Sequence, residues 1–208
     1  GNITFVPAAN YNGSASFTWK ASDGTNYSTS VATMTLSIAG TNDAPTAADH
    51  TFVTDEDTAI TNGDLTAYAA DVDTGASLAY TLGTGTSHGT VTVNPNGTFT
   101  YTPAANYSGP DSFTWSVSDG TASTTATANI TVNLVNDVPT VTSSTENGTE
   151  DTTMTFTAAD FNGAGIYADE ESNALSKIQI VSLPDVASGV LKLSDVAITA
   201  DQEITAAN

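Results

Sequence analysis

Twenty-three Asp and Glu residues face only three basic residues in this 208-residue chain, and all three are Lys. The acids are not spread evenly. They gather as Asp43, then Asp55, Glu56 and Asp57, then Asp71 and Asp73; later come Asp137, Glu150 and Asp151, then Asp169, Glu170 and Glu171. Like charges packed in one place repel unless something neutralises them. Lys20, Lys177 and Lys192 are too few for that task. A hard cation held by oxygens is the natural counter-ion, and Ca2+ takes about six to eight such ligands. Solvated acids that keep a protein soluble are the plain alternative for any single residue. The recurrence of the clusters favours the metal.

Other chemistry is thin. His50 and His88 stand in loops or at strand starts, with no Cys, no Arg and no nucleophile-elbow motif around them, so catalysis is not expected. No phosphate-binding loop and no glycine-rich Ca2+ nonapeptide occurs. Asn-x-Thr/Ser tripeptides at Asn2, Asn96, Asn129 and Asn147 are what chance gives in a Thr-rich chain. Lys20 reads as an outward strand residue rather than a crosslinking one. A formal charge of −20 repels phosphate backbones and excludes nucleic-acid binding. It also repels an anionic membrane surface unless divalent cations bridge the two. No apolar run reaches the ~18 residues of a membrane helix, and no signal-peptide pattern is present. The lack of Cys rules out disulfides and thiolate metal sites.

The elements that carry these acids are strands. Leu, Ile, Val and Phe make up only about 19% of the chain, a composition that on its own points to disorder. The pattern overrules it. Apolar residues alternate with Thr and Ser in Thr98–Thr102, Phe113–Val117 and Ile130–Leu134, the period of a half-buried strand. Turn residues separate the runs. Strands are predicted near 51–54, 66–70, 78–82, 89–93, 98–102, 112–118 and 124–134, with a hairpin turn at Asn94-Pro95-Asn96-Gly97. Trp115 falls on an inward face with Phe113 and Val117 and is read as core. Tyr107, just before that strand, is read as a tyrosine corner, with Tyr11 its counterpart. Phe161–Ile166 reads as an inserted loop.

The chain also repeats itself. Ile3–Gly13 matches Phe99–Gly109, Phe17-Thr18-Trp19 matches Phe113-Thr114-Trp115, and Ser22-Asp23-Gly24-Thr25 matches Ser118-Asp119-Gly120-Thr121. Asn42-Asp43-Ala44-Pro45 matches Asn136-Asp137-Val138-Pro139. The offset is constant to within a few residues, which marks tandem units. Residues 1–43 correspond to the C-terminal half of a unit, 44–136 to one complete unit, and 137–208 to the N-terminal part of a third. Gln202–Asn208 stops about where Gly1–Phe5 begins within the unit, as if one period had been cut from a longer array.

The Asn-Asp-x-Pro linkers, the Glu-Asp-Thr that follows each, Asp71-Val72-Asp73, and the stretch from Asn106 to Gly120 together resemble cadherin-like tandem repeats of giant bacterial surface adhesins, VCBS-type repeats among them. The resemblance covers nearly the whole chain. It implies an all-β fold of tandem immunoglobulin/cadherin-like β-sandwiches of about seven strands. It implies a rod-like extracellular array on a bacterial cell surface, with Ca2+ between neighbouring repeats. By analogy with cadherin junctions, the second boundary would take Glu56, Asp57 and Asp119 from upstream, Asn136 and Asp137 from the linker, and Asp169, Glu171 and Asn173 from downstream. Asp169-Glu170-Glu171 departs from the Asp-x-Asp pattern. The first boundary would use Asp23, Asn42, Asp43, Asp71 and Asp73, lacks an upstream acid pair, and is expected to bind Ca2+ more weakly.

Three functions compete at this stage. One is a Ca2+-stiffened spacer in an adhesin or surface filament. A second is a module that grips glycan or another cell-surface ligand through exposed aromatics such as Tyr27 and Tyr167. The third is a filament subunit that polymerises with other copies head to tail by strand complementation between half-domains.

Overall fold

The computed structural model describes residues 1–206, so the Ala207–Asn208 end of the supposed join lies outside the described residues. The chain divides into two compact units, 1–134 and a second beginning at Val135.

The first unit opens with a hairpin of β1 (Gly13–Trp19) and β2 (Ala32–Ile38), paired antiparallel from Gly13↔Ile38 to Trp19↔Ala32. A complete sandwich follows. Its strands are β3 (Thr46–Ala47), β4 (His50–Asp55), β5 (Ile60–Asp64), β6 (Ala69–Ala70), β7 (Ala79–Leu82), β8 (Gly89–Val93), β9 (Thr98–Pro103), β10 (Gly109–Ser118) and β11 (Ser123–Asn133). One sheet has the order β4-β11-β10-β7, the other β5-β9-β8, and β3 pairs with β6. β4 runs parallel to β11, from His50↔Ala128 to Asp55↔Asn133.

The alternation read from the sequence is what fills the space between the sheets. Phe113, Trp115 and Val117 of β10, Ala126, Ala128, Ile130 and Val132 of β11, and Phe99 and Tyr101 of β9 are buried with Leu65 and Tyr80 in one cluster. Phe99 packs tilted on Phe113 at 5.1 Å and edge-on to Phe52 at 4.8 Å, while Tyr80 stacks on Trp115 at 5.9 Å. Such aromatic contacts let a Thr-rich chain build a core from few large side chains.

One local expectation changes. The strand expected at 66–70 is instead a 3-10 turn, Thr66–Tyr68, followed by the short β6. Asp64 Oδ1 accepts from both Thr66 N and Thr66 Oγ1, at 2.8 and 2.7 Å, and this side-chain bonding competes with the strand ladder. The strand sits one segment earlier, as β5, hidden in the sequence by Asn62-Gly63. Gly63 is there because the Phe99 ring lies against its α-carbon, where a Cβ would collide with the ring. The turn at Asn94–Gly97 is as expected: Gly97 N donates to Asn94 O, and Asn94 N to Thr98 O.

In the second unit, β12 (Thr140–Val141) pairs with β13 (Tyr167–Ala168), β14 (Lys177–Ile180) with β17 (Gln202–Thr205), and β15 (Lys192–Leu193) with β16 (Val196–Ala197). The segment read as an inserted loop follows one helical turn, α1 (Ala158–Phe161), whose Asp160 carboxylate accepts from the Thr157 hydroxyl. Lys177 and Glu203 form an exposed ion pair across β14 and β17.

Candidate functional site

The first linker is held by a continuous chain of hydrogen bonds drawn from separate loops. Asn42 Nδ2 donates to Asp119 Oδ2 at 2.9 Å. Asp43 N donates to Asp73 Oδ2 at 2.9 Å, and Asp73 N to Asp71 Oδ1 at 2.8 Å. Asp71 Oδ2 is buried with no hydrogen-bond partner. A polar hollow beside this cluster is lined by Asn10, Asn12, Thr41, Asp43 and Asp73.

The second linker repeats the arrangement inside its own unit. Asp137 N donates to Glu171 Oε1 at 3.1 Å, as Asp43 N does to Asp73. Asn173 N donates to Asp169 Oδ1 at 2.8 Å, and Asn173 Nδ2 to Asn136 Oδ1 at 3.2 Å. Glu171 Oε2 is buried and without a hydrogen-bond partner, like Asp71 Oδ2. Glu171 therefore reaches the place Asp73 occupies, with one methylene more. Asn42 and Asn136 both turn their amide nitrogen toward the next residue's carbonyl, at 3.0 and 2.7 Å.

Two residues do not lie where cadherin analogy put them. Asp119 sits at the tip of the β10–β11 hairpin, beyond Ser118↔Ser123, whereas Glu56 and Asp57 follow the far end of β4, where Asp55 pairs with Asn133. The length of β10 separates them, so Asp119 belongs with Asn42 and the first linker. Its carboxylate is held below the usual range by the N–H groups of Ala122 and Thr121, and then by Asn42. Asp23 likewise caps the β1–β2 hairpin beyond Trp19↔Ala32, the end opposite Ile38 and the linker. The N–H groups of Asn26 and Thr25 hold it low, which is a turn-forming role. The repeat carried the signal for both: each Ser-Asp-Gly lies between two paired strands, so it must be a hairpin tip.

At the other end of the complete sandwich, Glu56 is buried and its N–H donates to Asn133 O at 2.9 Å. Asp57 Oδ1 accepts from Asn106 N at 3.1 Å, and Asn133 Nδ2 donates to Asp55 Oδ1 at 3.0 Å.

The remaining polar groups have structural work. His50 stacks on Tyr68 and its Nε2 lies 2.8 Å from the Tyr68 hydroxyl. His88 stacks on Tyr107. The hydroxyls of Tyr107 and Tyr11 donate to Pro110 O and Ser14 O, at 2.6 and 2.7 Å, the corner bond in both repeats. Tyr27 is exposed, but Tyr167 is partly covered and donates to Asn173 O at 3.0 Å. Sequence reading passed over Asp111, which is buried where the strand pattern called for an apolar residue. Its carboxylate accepts from Ser87 N, His88 N, Ser112 N and the Tyr101 hydroxyl. Burial pushes Asp111 up, but these donors outweigh it and the group is held low. Burial, then the bond to Asp111, pushes the Tyr101 phenol up.

The donor sets at the two linkers consist of oxygen-bearing side chains, suited to a hard cation rather than to Zn2+ or a thiolate metal. Among the described residues, no three His, Cys, Asp or Glu side chains close up into a metal cage on their own. In each set carboxylates are turned onto backbone N–H groups, with an Asn amide on Asp119 in the first, and one carboxylate oxygen is left buried without a bond. A buried orphan of this kind calls for an ion or a water.

A sandwich of two mostly antiparallel sheets with acid-rich linkers is the cadherin-like architecture. Residues 42–135 match the bacterial cadherin-like domain family and residues 1–39 a cadherin-like domain family, and over these segments the chain belongs to the cadherin-like families. Such domains are typically not enzymes, are usually extracellular in bacteria, and generally bind Ca2+. No curated protein sequence matches the chain. Among solved structures, it aligns with the endo-fucoidan hydrolase MfFcnA4 of glycoside hydrolase family 107 at 25% identity over 62% of this chain and 20% of that one, with TM-score 0.37. The related MfFcnA9 aligns at 22% identity over 61% and 23%, with TM-score 0.35. Human CDH23 EC21-23 aligns at 17% identity over 90% of this chain and 63% of that one, with TM-score 0.46. The chain spans about a fifth of the length of the fucoidan hydrolases, and superpositions this loose carry no argument about activity. No helix among the described residues is long and apolar enough to cross a membrane.

Proposed function

We propose that this chain is an extracellular structural repeat of a large bacterial adhesin or surface filament, a rod-like spacer stiffened by Ca2+ at its linkers. The observation that carries the reading is the recurrence of one device at both Asn-Asp linkers. Each linker Asp is tied through its N–H to an acid of a neighbouring loop, and each set holds a buried carboxylate oxygen without a hydrogen-bond partner. Asn42, Asp43, Asp71, Asp73 and Asp119 would hold the ion at the first linker. Asn136, Asp137, Asp169, Glu171 and Asn173 would do so at the second. The ion would supply the positive charge these sets lack. Without it the carboxylates repel and the linkers flex.

Thermal unfolding in Ca2+ and in chelator, at matched ionic strength, tests this. At ~10 mM Ca2+ and a Kd of about 10⁻⁴ to 10⁻³ M, usual for extracellular modules, binding adds about 1.4–2.7 kcal/mol. For a domain of this size that raises Tm by roughly 6–20 °C. The gain is expected to vanish when Asp43 and Asp137 are both changed to Ala. An equal Tm in Ca2+ and chelator would leave the acids as solvated surface and sink the proposal.

A further inference from the structure

The two sheets of the complete sandwich end at β4, β7, β5 and β8. β4 ends on Asp55 and runs into Glu56 and Asp57. β7 gives Tyr80 N to Pro95 O of the neighbouring turn, which covers part of its edge. β5 is broken by a register shift between Ile60 and Gly63 and ends on Asp64. Charges, covers and bulges of this kind keep sheet edges from joining. β8, Gly-Thr-Val-Thr-Val, has none of them: it pairs without a break from Gly89↔Pro103 to Val93↔Phe99 and carries no charge. The uncharged stretch is wider than β8. No Asp, Glu, Lys or Arg stands between Asp73 and Asp111, in a chain of formal charge −20. β7, β8 and β9 all lie within it. Both sheets are whole here, so the open edge belongs to the sandwich itself.

The hydrogen bonds show which groups of β8 are free. Asn94 N donates to Thr98 O and Ala104 N to His88 O, so the even-numbered residues from His88 to Asn94 face β9. Pro103, which has no N–H, sits opposite Gly89, in agreement. Gly89, Val91 and Val93 therefore turn their backbone groups outward. Gly89 O takes the Thr86 hydroxyl at 2.8 Å. Among the described residues no strand pairs with the rest of that edge. Thr90 and Thr92 are exposed on the outer face, while Val91 and Val93 are half-buried against the core.

We propose that β8 pairs antiparallel with β8 of a second copy of this chain, about a two-fold axis at Val91. The register is self-complementary. Val91 of one copy meets Val91 of the other, each N–H donating to the opposite carbonyl, and Gly89 meets Val93 on both sides of the axis. Thr90 meets Thr92, which extends on the outer face the pairs that β8 already makes with Thr102 and Thr100. The two three-stranded sheets become one. Its ends are then the two β5 strands, whose register shift and Asp64 stop further growth. The assembly is a closed pair. The uncharged stretch lets the copies approach there; elsewhere the acids repel, so pairing tightens as salt screens them. The two-fold axis sets the paired strands in opposite directions. The contact goes beyond the spacer reading and does not depend on Ca2+ at the linkers.

Sedimentation equilibrium of the 208-residue chain from about 1 µM to about 1 mM reads the association. The expected result is a monomer–dimer equilibrium that shifts toward dimer with salt and stops there. Val91→Pro removes an outward N–H and no bond to β9. The variant should keep its circular dichroism while association weakens at least about 10-fold. The chain has no Cys, so an introduced one reports the register. Across the axis the two Val91 α-carbons would stand about 5.5 Å apart, within reach of a disulfide. Val91→Cys should therefore crosslink under mild oxidation, and Thr100→Cys, on the neighbouring strand, should not. A monomer at every concentration and salt overturns the proposal. So does undiminished association of folded Val91→Pro, or crosslinking as fast in Thr100→Cys as in Val91→Cys.

Discussion

Replacing Asp71 by Asn separates a metal-binding carboxylate from a structural one by the sign of its effect. Asp71 Oδ1 accepts from Asp73 N at 2.8 Å, a bond that an Asn Oδ1 keeps. Asp71 Oδ2 is buried without a bond. An unmade buried acceptor costs roughly 1–3 kcal/mol, and the neighbouring Asp73 carboxylate adds repulsion. The amide removes the charge from that place and, with it, the repulsion. In chelator, Asp71→Asn is therefore expected to be more stable than the parent by about 1 kcal/mol. In ~10 mM Ca2+ the parent gains about 1.4–2.7 kcal/mol and the variant loses most of that gain, because a hard divalent ion has lost a charged ligand. The order of the two proteins inverts between the two buffers. About 1 kcal/mol moves Tm by ~4–8 °C in a domain of this size, well within calorimetry. Scans of both proteins in both buffers at ~0.15 M ionic strength decide the matter, since surface screening is then held constant. A loss of stability of equal size in both buffers would refute the reasoning and leave Asp71 as a backbone acceptor only.

Asp111→Asn keeps one acceptor oxygen and turns an NH2 onto two buried donors, so it should destabilise the complete sandwich by roughly 2–4 kcal/mol in urea unfolding. Because the folded state holds Asp111 below its unfolded value, its contribution is full above about pH 4 and is lost as pH falls through the lowered value; the variant should show a flatter acid limb in the same assay. Trp115→Ala should cost about 3–5 kcal/mol by circular dichroism, whereas Trp19→Ala should cost under ~1 kcal/mol, although both sit in the same motif.

Most of the architecture was legible because the strand signal is local. Thr98–Thr102 and Phe113–Val117 alternate strictly, and alternation alone tells which residues face inward. The segment around 60–70 resisted reading for an equally local reason: Asn62-Gly63 carries turn chemistry, while the demand for glycine comes from the Phe99 ring, a partner far along the chain. The acids were legible as a class but not as sets. Which loop each one serves depends on which end of a hairpin it occupies. Asp23 and Asp119 sit at hairpin tips, a strand's length from the sandwich end that cadherin analogy assigns to such acids. Asp111 was missed because a lone carboxylate among Ser and Thr looks like surface; only the fold brings the Tyr101 hydroxyl and two loop N–H groups to it.

The first long strand of the complete sandwich, β4, and its last, β11, lie side by side and run parallel, from His50↔Ala128 to Asp55↔Asn133. A pull applied through the two linkers drags β4 and β11 past each other along their length. All the rungs between them are then loaded together, rather than parted one at a time as at the open end of a hairpin. Such a domain resists tension by shear. The small core that makes it only modestly stable at rest does not set the force at which it gives way.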